Sequence, residues 1–268
     1  TTSTDLSEEI PIVQAGTTKK AKLLNLFKTT AGASSIGSDD GASGSLWISV
    51  QGFIAFLLST LGASVIGFIQ DGVGAVRRSV LDKLRDRVSV FDFMTPQQIA
   101  SVRARNLVED VTASVQAAIN AGADFAPAGT YKITGSISLP DGAKIRGAGI
   151  NKTIFKSEVI SDSLFKTTTE TTYIYLSDMT LEGNNLTGAV GNGHAINFID
   201  PVAGGAWSPQ QSVLERLRIR RFRGQDIRTR GESTTIASAG IIMVGSLQNV
   251  CRDVMIDECG HGFYMDAT

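Results

Sequence analysis

Five carboxylate residues in the last third of the chain could act as acids or bases: Glu182, Glu215, Asp253, Asp257 and Glu258. Hydrolysis of a glycosidic bond needs two carboxyl groups roughly 5–10 Å apart, and elimination at a sugar needs a base beside a charge-neutralising group. Asp257 and Glu258 are neighbours, so on a strand they point to opposite faces. Glu215 with Asp253 is a possible pair across repeats. We interpret these acids mainly as solvated strand residues and assign no catalytic residue.

Seven arginines lie between residues 216 and 230. Three of them, Arg216, Arg218 and Arg220, alternate with Leu217 and Ile219, so they project from one face of a strand. One interpretation is a binding site for an acidic polysaccharide, because arginine pairs with carboxylates in bidentate fashion. The other is a soluble outer face that meets acids at a contact between copies. The sequence favours the second interpretation and keeps the three arginines as polysaccharide-binding candidates.

Two histidines and one glycine-rich segment are the candidates for a metal site or a nucleotide site. His194 and His261 have glycine neighbours, which indicates turns, and no further ligand stands at metal-binding spacing. The segment 147–152, GAGINK, is not followed by a phosphate-binding helix. The sequence therefore predicts no metal and no cofactor.

Charge and composition narrow the function classes. The net charge is −1, from 25 basic and 26 acidic residues. This balance provides no bulk attraction to nucleic acid or to anionic membranes, so neither is predicted as a partner. Two cysteines cannot form a disulfide framework, so packing and oligomerisation must hold the fold. The first 20 residues lack the apolar core of a signal peptide, and a secretory route is not indicated.

An uncharged segment from Gly41 to Gln70 is long enough to span a bilayer. It contains many Ser and Gly residues and has no flanking Lys or Arg to set an orientation. Its apolar residues recur at steps of three and four, which is the spacing of a coiled coil. We therefore expect helices that pack against copies of the same chain. The residues of this apolar seam are Trp47, Val50, Ile54, Leu57, Leu61, Val65 and Phe68.

A second helical pattern follows the seam. Val73, Val76, Val80, Leu84 and Val88 keep one apolar face at helical spacing, and charged residues cover the other face. This pattern predicts a neck helix over 64–88. It adds Val76, Val80 and Leu84 to the residues expected to hold copies of the chain together, and it predicts an i,i+4 ion pair between Arg78 and Asp82.

Two short helices are predicted next. Thr95, Pro96 and Gln98 form a start signal, with Thr at the N-cap, Pro at N1 and Gln at N3. Asp110 can cap the second helix, and Gly122 is its expected left-handed terminus. The residues expected to face inward are Ile99, Val102, Val111, Val115, Ala118 and Ile119.

After Gly122 the apolar period becomes strand-like, and a repeat recurs. The segments 176–181, 214–219 and 251–256 share one pattern of apolar, two polar, then apolar–polar–apolar residues. A strand that buries one face at a fixed repeat predicts a stacked solenoid. We expect the arginines outside and the apolar positions inside. The residues expected inside are Leu217, Ile219, Val254, Ile256 and, as buried free thiols, Cys251 and Cys259.

The repeat has no visible cap after its last unit, so we expect the complete protein to be longer.

The N-terminal region of tailed-phage tailspikes resembles this chain in the segments SSIGSDDGASGSLW, VQGFIAFL and GASVIGFIQDGVGAVRRSVLDKLRDRVSVFDF. Small adaptor modules of such proteins are similar to IPIVQAGTTKKA. The pectate-lyase-like right-handed β-helix family resembles VQAAINAG and FAPAGTYKITGSISLPDGAKIRGAG. In that family an acidic glycine-containing run is common after the Asp-Phe pair, whereas here Asp92-Phe93 leads into MTPQQIASVRARN.

The resemblance implies a homotrimer in the virion tail that docks to phage tail, adaptor or baseplate proteins. It also implies binding or cleavage of a bacterial surface polysaccharide by the full-length protein. The predicted fold is mainly β and incomplete. Its parts are a β-prone anchor (1–45), the seam and helical trimeric neck (46–92), capping helices (93–123) and the first coils of a right-handed parallel β-helix (124–268).

Three functions compete. The first is a structural attachment protein that fixes a spike to the virion and presents a host-recognition β-helix. The second is a polysaccharide depolymerase, either a glycoside hydrolase or a lyase, with catalytic residues in the β-helix. The third is a membrane-anchored surface β-helix. We expect the full-length protein to be a depolymerase and this chain to be inactive alone.

Overall fold

The structure is a computed structural model of the chain. It describes residues 9–14, 17–22, 50–59, 61–158, 162–167, 171–184, 193–199, 210–223, 239–244 and 248–266. The chain divides into two compact units, Thr1–Asp86 and Arg87–Thr268. The four predicted segment boundaries stay predictions.

The first unit begins with a β-hairpin. β1 (Glu9–Gln14) pairs antiparallel with β2 (Thr17–Lys22), so that Glu9 lies opposite Lys22. Pro11 is accommodated because a two-stranded sheet consists of edge strands.

The predicted neck forms short elements where one long helix was expected. Helix α1 (Val50–Leu57) is followed by α2 (Gly62–Val65), the antiparallel pair β3 (Gly67–Phe68) and β4 (Arg78–Ser79), and α3 (Val80–Leu84). The continuous helix over 64–88 was therefore wrong. Gly72 and Gly74 have φ angles of +133° and +86°, which a helix excludes.

The predicted ion pair in this segment is present. Arg78 Nε lies 2.6 Å from Asp82 Oδ2, and Arg78 Nη2 lies 2.7 Å from Asp86 Oδ1. Both acids therefore anchor one guanidinium beside α3. Among the helices that the structure describes, none combines the length and apolar character that crossing a membrane requires.

The second unit opens with the capping helices. A 3₁₀ helix (Val90–Phe93) precedes α4 (Pro96–Ala104), whose Thr95 and Gln98 form the predicted reciprocal capping box. Helix α5 (Thr112–Asn120) begins where the Asp110 carboxylate accepts the Thr112 backbone N–H at 3.0 Å. The start signal at Thr95 and Gln98 is confirmed. The N-cap of α5 is Val111 rather than the predicted Asp110, which accepts the first N–H of the helix from one position earlier. The left-handed Gly122, with φ +80°, follows α5 as predicted. The inward-facing residues that are buried are Val102, Val111, Val115, Ala118 and Ile119, with Ile99 half-buried.

Two parallel sheets form the rest of the described part of this unit. The first sheet contains β5 (Phe125–Ala126), β6 (Gly129–Ile133), β8 (Lys144–Gly147), β9 (Thr153–Ser157), β11 (Tyr175–Glu182), β13 (Val213–Arg220) and β15 (Val250–Asp257). The second sheet contains β7 (Ile137–Ser138), β10 (Phe165–Lys166), β12 (Ile196–Ile199), β14 (Ala239–Val244) and β16 (His261–Asp266). Successive strands alternate mainly between the sheets and pair in parallel with strands one repeat away. This mainly β architecture is consistent with a β-helix-like fold.

The strand register confirms the sequence repeat. Leu176 lies opposite Leu214, which lies opposite Cys251. Leu217 and Ile219 are fully buried, whereas Val254 and Ile256 are half-buried against the same core. The arginines of β13 lie on the outer side, as predicted.

The expectation of buried thiols was wrong for Cys251, which is exposed, and Cys259 is half-buried. Cys251 occupies an inward position, but β15 is the outermost strand of its sheet in the described part of the chain. The side chain at a core position is covered from solvent only when its strand has a neighbouring strand on both sides.

Each long strand of the first sheet contains a left-handed residue at the same place. The φ angles are +58° at Asp178, +48° at Arg216 and +54° at Asp253, and the pairing skips these residues. A residue that is left out of the pairing between two strands kinks its strand, much as a β-bulge does. A second left-handed column, five residues earlier, contains Tyr173, Gln211 and Gln248.

Aromatic rings fill the first coils. Tyr131 stacks on Phe155 with ring centroids 4.8 Å apart, and Phe155 meets Phe165 edge-on at 5.4 Å. Phe91 of the capping segment lies 6.1 Å from Tyr131. Such offset and edge contacts stabilise beyond area burial alone. The cap and the coils therefore share one core.

Candidate functional site

The outer side of the first sheet carries a dense set of ionisable residues, which we call the outer charged face. It arises because every second position of β8, β9, β11, β13 and β15 points away from the core, and because the left-handed Asp178 and Arg216 add to the same side. Its residues are Lys144, Arg146, Lys156, Tyr175, Asp178, Glu182, Glu215, Arg216, Arg218, Arg220, Arg252 and Asp257.

Glu215 lies at the centre of this face, and its side chain is only 5% exposed. Tyr175 Oη donates a hydrogen bond to Glu215 Oε1, and Arg216 Nη1 lies 2.7 Å from the same oxygen. Arg252 Nε donates to Glu215 Oε2 at 2.9 Å. The Tyr175 hydrogen bond, together with the two guanidinium groups, holds the pKa of Glu215 below its usual value.

Asp178 is engaged in a similar way. Arg216 donates to it through Nε at 2.6 Å and Nη2 at 2.9 Å, which is a bidentate pair. Arg146 Nε lies 3.3 Å from Asp178 Oδ2. The Arg216 hydrogen bonds lower the pKa of Asp178. Arg216 thus bridges two carboxylates that belong to neighbouring coils.

Glu182 forms the other end of the ion-pair network. Lys156 Nζ lies 3.1 Å from Glu182 Oε1, and Arg220 Nε donates to Oε2 at 2.9 Å. Burial alone would raise the pKa of Glu182, but these two cations outweigh it and lower the pKa. Arg218 Nη2 lies 2.9 Å from Asp257 Oδ2.

The three predicted arginines are therefore ion-paired across coils. This arrangement agrees with the interpretation of β13 as a soluble charged face, with the acids supplied by the same chain. Binding of a polysaccharide by Arg216, Arg218 and Arg220 stays a prediction. Glu215 lies opposite Arg252, and Asp253 occupies the left-handed position that follows it. The pair of Glu215 with Asp253 stays a prediction.

The structure locates most of the residues that were expected to form a trimer. Trp47 lies outside the described residues, and Val50 begins α1. The exposed ones are Ile54, Leu61, Val65, Val76 and Leu84, and the half-buried ones are Leu57, Phe68 and Val80. Their side chains are available for contacts with another molecule, and the trimer itself stays a prediction.

Three acids of the outer charged face are poorly matched to the proton-donor role in acid catalysis. A glycosidase needs one carboxyl group whose raised pKa keeps a proton near neutral pH. The pKa values of Asp178, Glu182 and Glu215 are instead all lowered. Within the described ranges, no three His, Cys, Asp or Glu side chains gather as metal ligands do.

Sequence reasoning missed Lys144, Arg146 and Tyr175 as parts of the outer charged face. Lys144 and Arg146 lie one coil before the recognised repeat, and their strand is short. Tyr175 directly precedes Leu176, the first residue of the repeat pattern, so its outward position followed from the alternation.

Comparisons with known proteins bear on the fold. No family model and no curated protein matches the chain. Among solved structures, tailspike protein 3 of bacteriophage CBA120 matches with a TM-score of 0.51 and 13% identity, over 80% of this chain and 36% of that one. A double mutant of the tailspike protein of E. coli bacteriophage HK620 matches with a TM-score of 0.50 and 14% identity, over 75% and 36%.

An A-module of an Azotobacter vinelandii mannuronan C-5 epimerase also matches, with a TM-score of 0.38 and 22% identity, over 63% of this chain and 49% of that one. The chain thus spans about half or less of the length of these three structures. At such identities the likeness to the tailspikes concerns the parallel β-helix fold alone.

Proposed function

We propose that this chain is the virion-proximal part of a phage tailspike. Its first unit anchors a homotrimer to the virion tail, through a tail, adaptor or baseplate protein. Its second unit begins a right-handed β-helix that presents a surface for host polysaccharide. The observation that carries the proposal is the parallel-sheet fold, which matches two phage tailspikes over 75–80% of this chain.

The apolar surface of the first unit supports association of copies. Leu58, Val73 and Val76 are strongly exposed, and so are most residues of the seam whose side chains are described. Burial of apolar surface contributes about 25 cal/mol per Å², so association that covers these side chains is favoured over exposure. Identical copies supply identical surfaces, as symmetric oligomers require.

Depolymerisation belongs to the complete protein in this proposal. The lowered pKa values of Asp178, Glu182 and Glu215 disfavour each of them as the proton donor that a glycosidase needs. We therefore expect residues 1–268 to bind polysaccharide without cleaving it. Release of reducing ends or of unsaturated sugars by this chain would contradict that assignment.

The trimer is tested by light scattering of residues 1–268. The expected mass is three times 28.4 kDa. Leu61→Asp combined with Val65→Asp should dissociate or aggregate the protein, because both side chains are exposed members of the seam. Gln70→Asp combined with Gln97→Asp is the matched control, since it adds the same two charges at exposed polar positions. A stable monomer of the unaltered chain would contradict the proposal.

Attachment is tested separately. Virions that lack spikes should bind the trimer and fail to bind the Leu61→Asp, Val65→Asp variant.

A further inference from the structure

The side chains that β15 and β16 direct toward the core are less covered than those of the coils before them. Leu214 of β13 is fully buried, whereas Cys251, the next residue of the same inward column, is exposed. Ile241 of β14 is fully buried, and Phe263 in the next strand of that column is 43% exposed. Within the described part of the chain, β15 and β16 each pair with a strand on one side only. Their other sides therefore form an open end of the core.

The opposite end of the same core is closed by helix α5. Its Val115 and Ala118 are fully buried, and they belong to one apolar cluster with Tyr131 and Ile133 of β6. Burial of apolar side chains is the main stabilising contribution in such a stack. The described coils are thus covered at the α5 end and lack an equivalent cover beside β15 and β16.

The charged columns of the first sheet change sign from one coil to the next. Lys156, Glu182, Arg220 and Asp257 lie opposite one another in this order on β9, β11, β13 and β15. Glu182 contacts both of its neighbours, at 3.1 Å from Lys156 Nζ and 2.9 Å from Arg220 Nε. Opposite charges across neighbouring strands attract and like charges repel, so the alternation favours this register. The left-handed column alternates in the same way, through Asp178, Arg216 and Asp253.

Two charged groups of β15 have unused capacity at the open side. The side chain of Arg252 is 62% exposed, and its described ion pair is with Glu215 on the inner side. Asp257 accepts hydrogen bonds from Arg218 through Oδ2, whereas its Oδ1 has no hydrogen-bond partner among the described residues. Met255, which points outward between them, is 58% exposed. This side of β15 therefore offers a cation, an apolar side chain and a carboxylate in a fixed order.

We propose that the open sides of β15 and β16 dock one further β-coil of the same polypeptide, and that charge alternation defines its residues. The strand that adds to β15 runs parallel to it, faces Arg252 with an acid and faces Asp257 with a base. Its inward residues are apolar and cover Cys251. This inference rests on the proposed function, in which this chain begins a longer spike, and it adds the residue pattern that the docking coil carries.

The chain contains one strand with this pattern already. On the inner side of β15, strand β13 places Glu215 opposite Arg252 and Arg220 opposite Asp257. A peptide with the β13 sequence VLERLRIR, added in the same register to the open side, would form the same two charge pairs. It would also direct its leucines and isoleucine inward, over the exposed part of the core. This peptide is therefore a suitable probe for the docking strand.

The test measures binding of the end-blocked, fluorescently labelled peptide to residues 1–268 by anisotropy. The control peptide VLRRLRIE has the same composition, with the glutamate and the last arginine exchanged. VLERLRIR should bind about tenfold more tightly, because the exchange converts two attractive pairs into two repulsive ones. Arg252→Gln should weaken binding of VLERLRIR about threefold. Arg103→Gln, which removes the same charge from an exposed position in α4, should leave the affinity unchanged.

The thiol of Cys251 reports where the peptide binds. In the Cys259→Ala variant, Cys251 is the only cysteine, and its exposure makes it accessible to alkylation by iodoacetamide. Saturating VLERLRIR should slow this alkylation at least about threefold, because the added strand covers the inward side of β15. Thermal unfolding of each variant shows whether the fold is retained, and the comparison of the two peptides needs no variant at all.

Three results would overturn the proposed docking strand. They are equal affinities of the two peptides, binding of neither peptide, and tight binding of VLERLRIR that leaves the alkylation of Cys251 unchanged. In each case a trimeric mass in light scattering would leave the proposed function standing. A monomeric mass would instead reject the proposed function itself.

Discussion

In the unit from Arg87 to Thr268, large apolar side chains lie inside the coils, whereas many of those described in the unit from Thr1 to Asp86 face solvent. Phe155, Phe165 and Leu217 are completely buried. Leu61, Val65 and Val76 are exposed. A repeat stacked along one axis covers its own core. Short helices joined by glycine-containing turns do not, and in the proposed trimer other copies of the chain cover these side chains. The comparison predicts that the second unit is stable by its own packing and the first by association.

The largest expected effect is the loss of a core ring. Phe155→Ala should lower the free energy of unfolding of the second unit by about 3–5 kcal/mol, because it opens a cavity between Tyr131 and Phe165. Urea denaturation measures the change. Phe263→Ala removes the same atoms from an exposed position, and its effect should stay below about 1 kcal/mol. Equal losses of stability in Phe155→Ala and Phe263→Ala would contradict the prediction that a buried core stabilises the second unit.

The next largest effect concerns pH. Burial lowers the pKa of His194 from 6.5 to about 4, so below pH 6.5 the unfolded chain takes up a proton that the folded chain does not. The second unit should lose about 2 kcal/mol between pH 7 and pH 4.5. His194→Gln should remove this loss, and His261→Gln should not. A flat profile in the unaltered chain would be inconsistent with a buried neutral histidine.

Lowering the pH below 4.5 should destabilise the second unit further. The lowered pKa values of Asp178, Glu182 and Glu215 mean that these pairs stabilise the fold above the unfolded pKa. This contribution is lost as the pH falls through the folded values. Stability should therefore keep decreasing below pH 4.5 even in His194→Gln.

The smallest effect compares the helix caps of the two units. Thr95→Ala should destabilise the second unit by about 1 kcal/mol, because the Gln98 backbone N–H loses its acceptor. Ser79 caps the five-residue α3 of the first unit in the same way, accepting from Asp82 at 3.0 Å. Ser79→Ala should cost less, since α3 has no buried residue to fix it. A larger cost for Ser79→Ala would show that the first unit packs tightly.

The sequence predicted local signals well and the neck poorly. Thr95, Gln98 and Gly122 act through neighbours in the chain, so their roles were visible in the residue order. The repeat register was also visible, because apolar alternation repeats along the strands. In the neck, the three–four spacing indicated a long helix, but Gly72 and Gly74 interrupt it.

The candidate site was predictable only in part. Outward positions followed from alternation, but the ion pairs between coils join residues 26 to 39 positions apart in the chain. Which acid meets which arginine depends on how many residues each coil contains. The left-handed Arg216 also lets one side chain reach two carboxylates, and no residue-type preference pointed to that conformation.

The residues with positive φ form two columns across the coils. The segment between the two columns has the same length in each coil, whereas the rest of the coil can vary in length. Tyr173 and Asp178 are separated by five positions, and so are Gln211 and Arg216 in the next coil and Gln248 and Asp253 in the one after. The coils nevertheless differ by one residue, with offsets of 38 and 37. The extra residue must therefore fall outside the segment that builds the outer charged face. Loops elsewhere in a coil can change length during evolution while the spacing of this face stays constant.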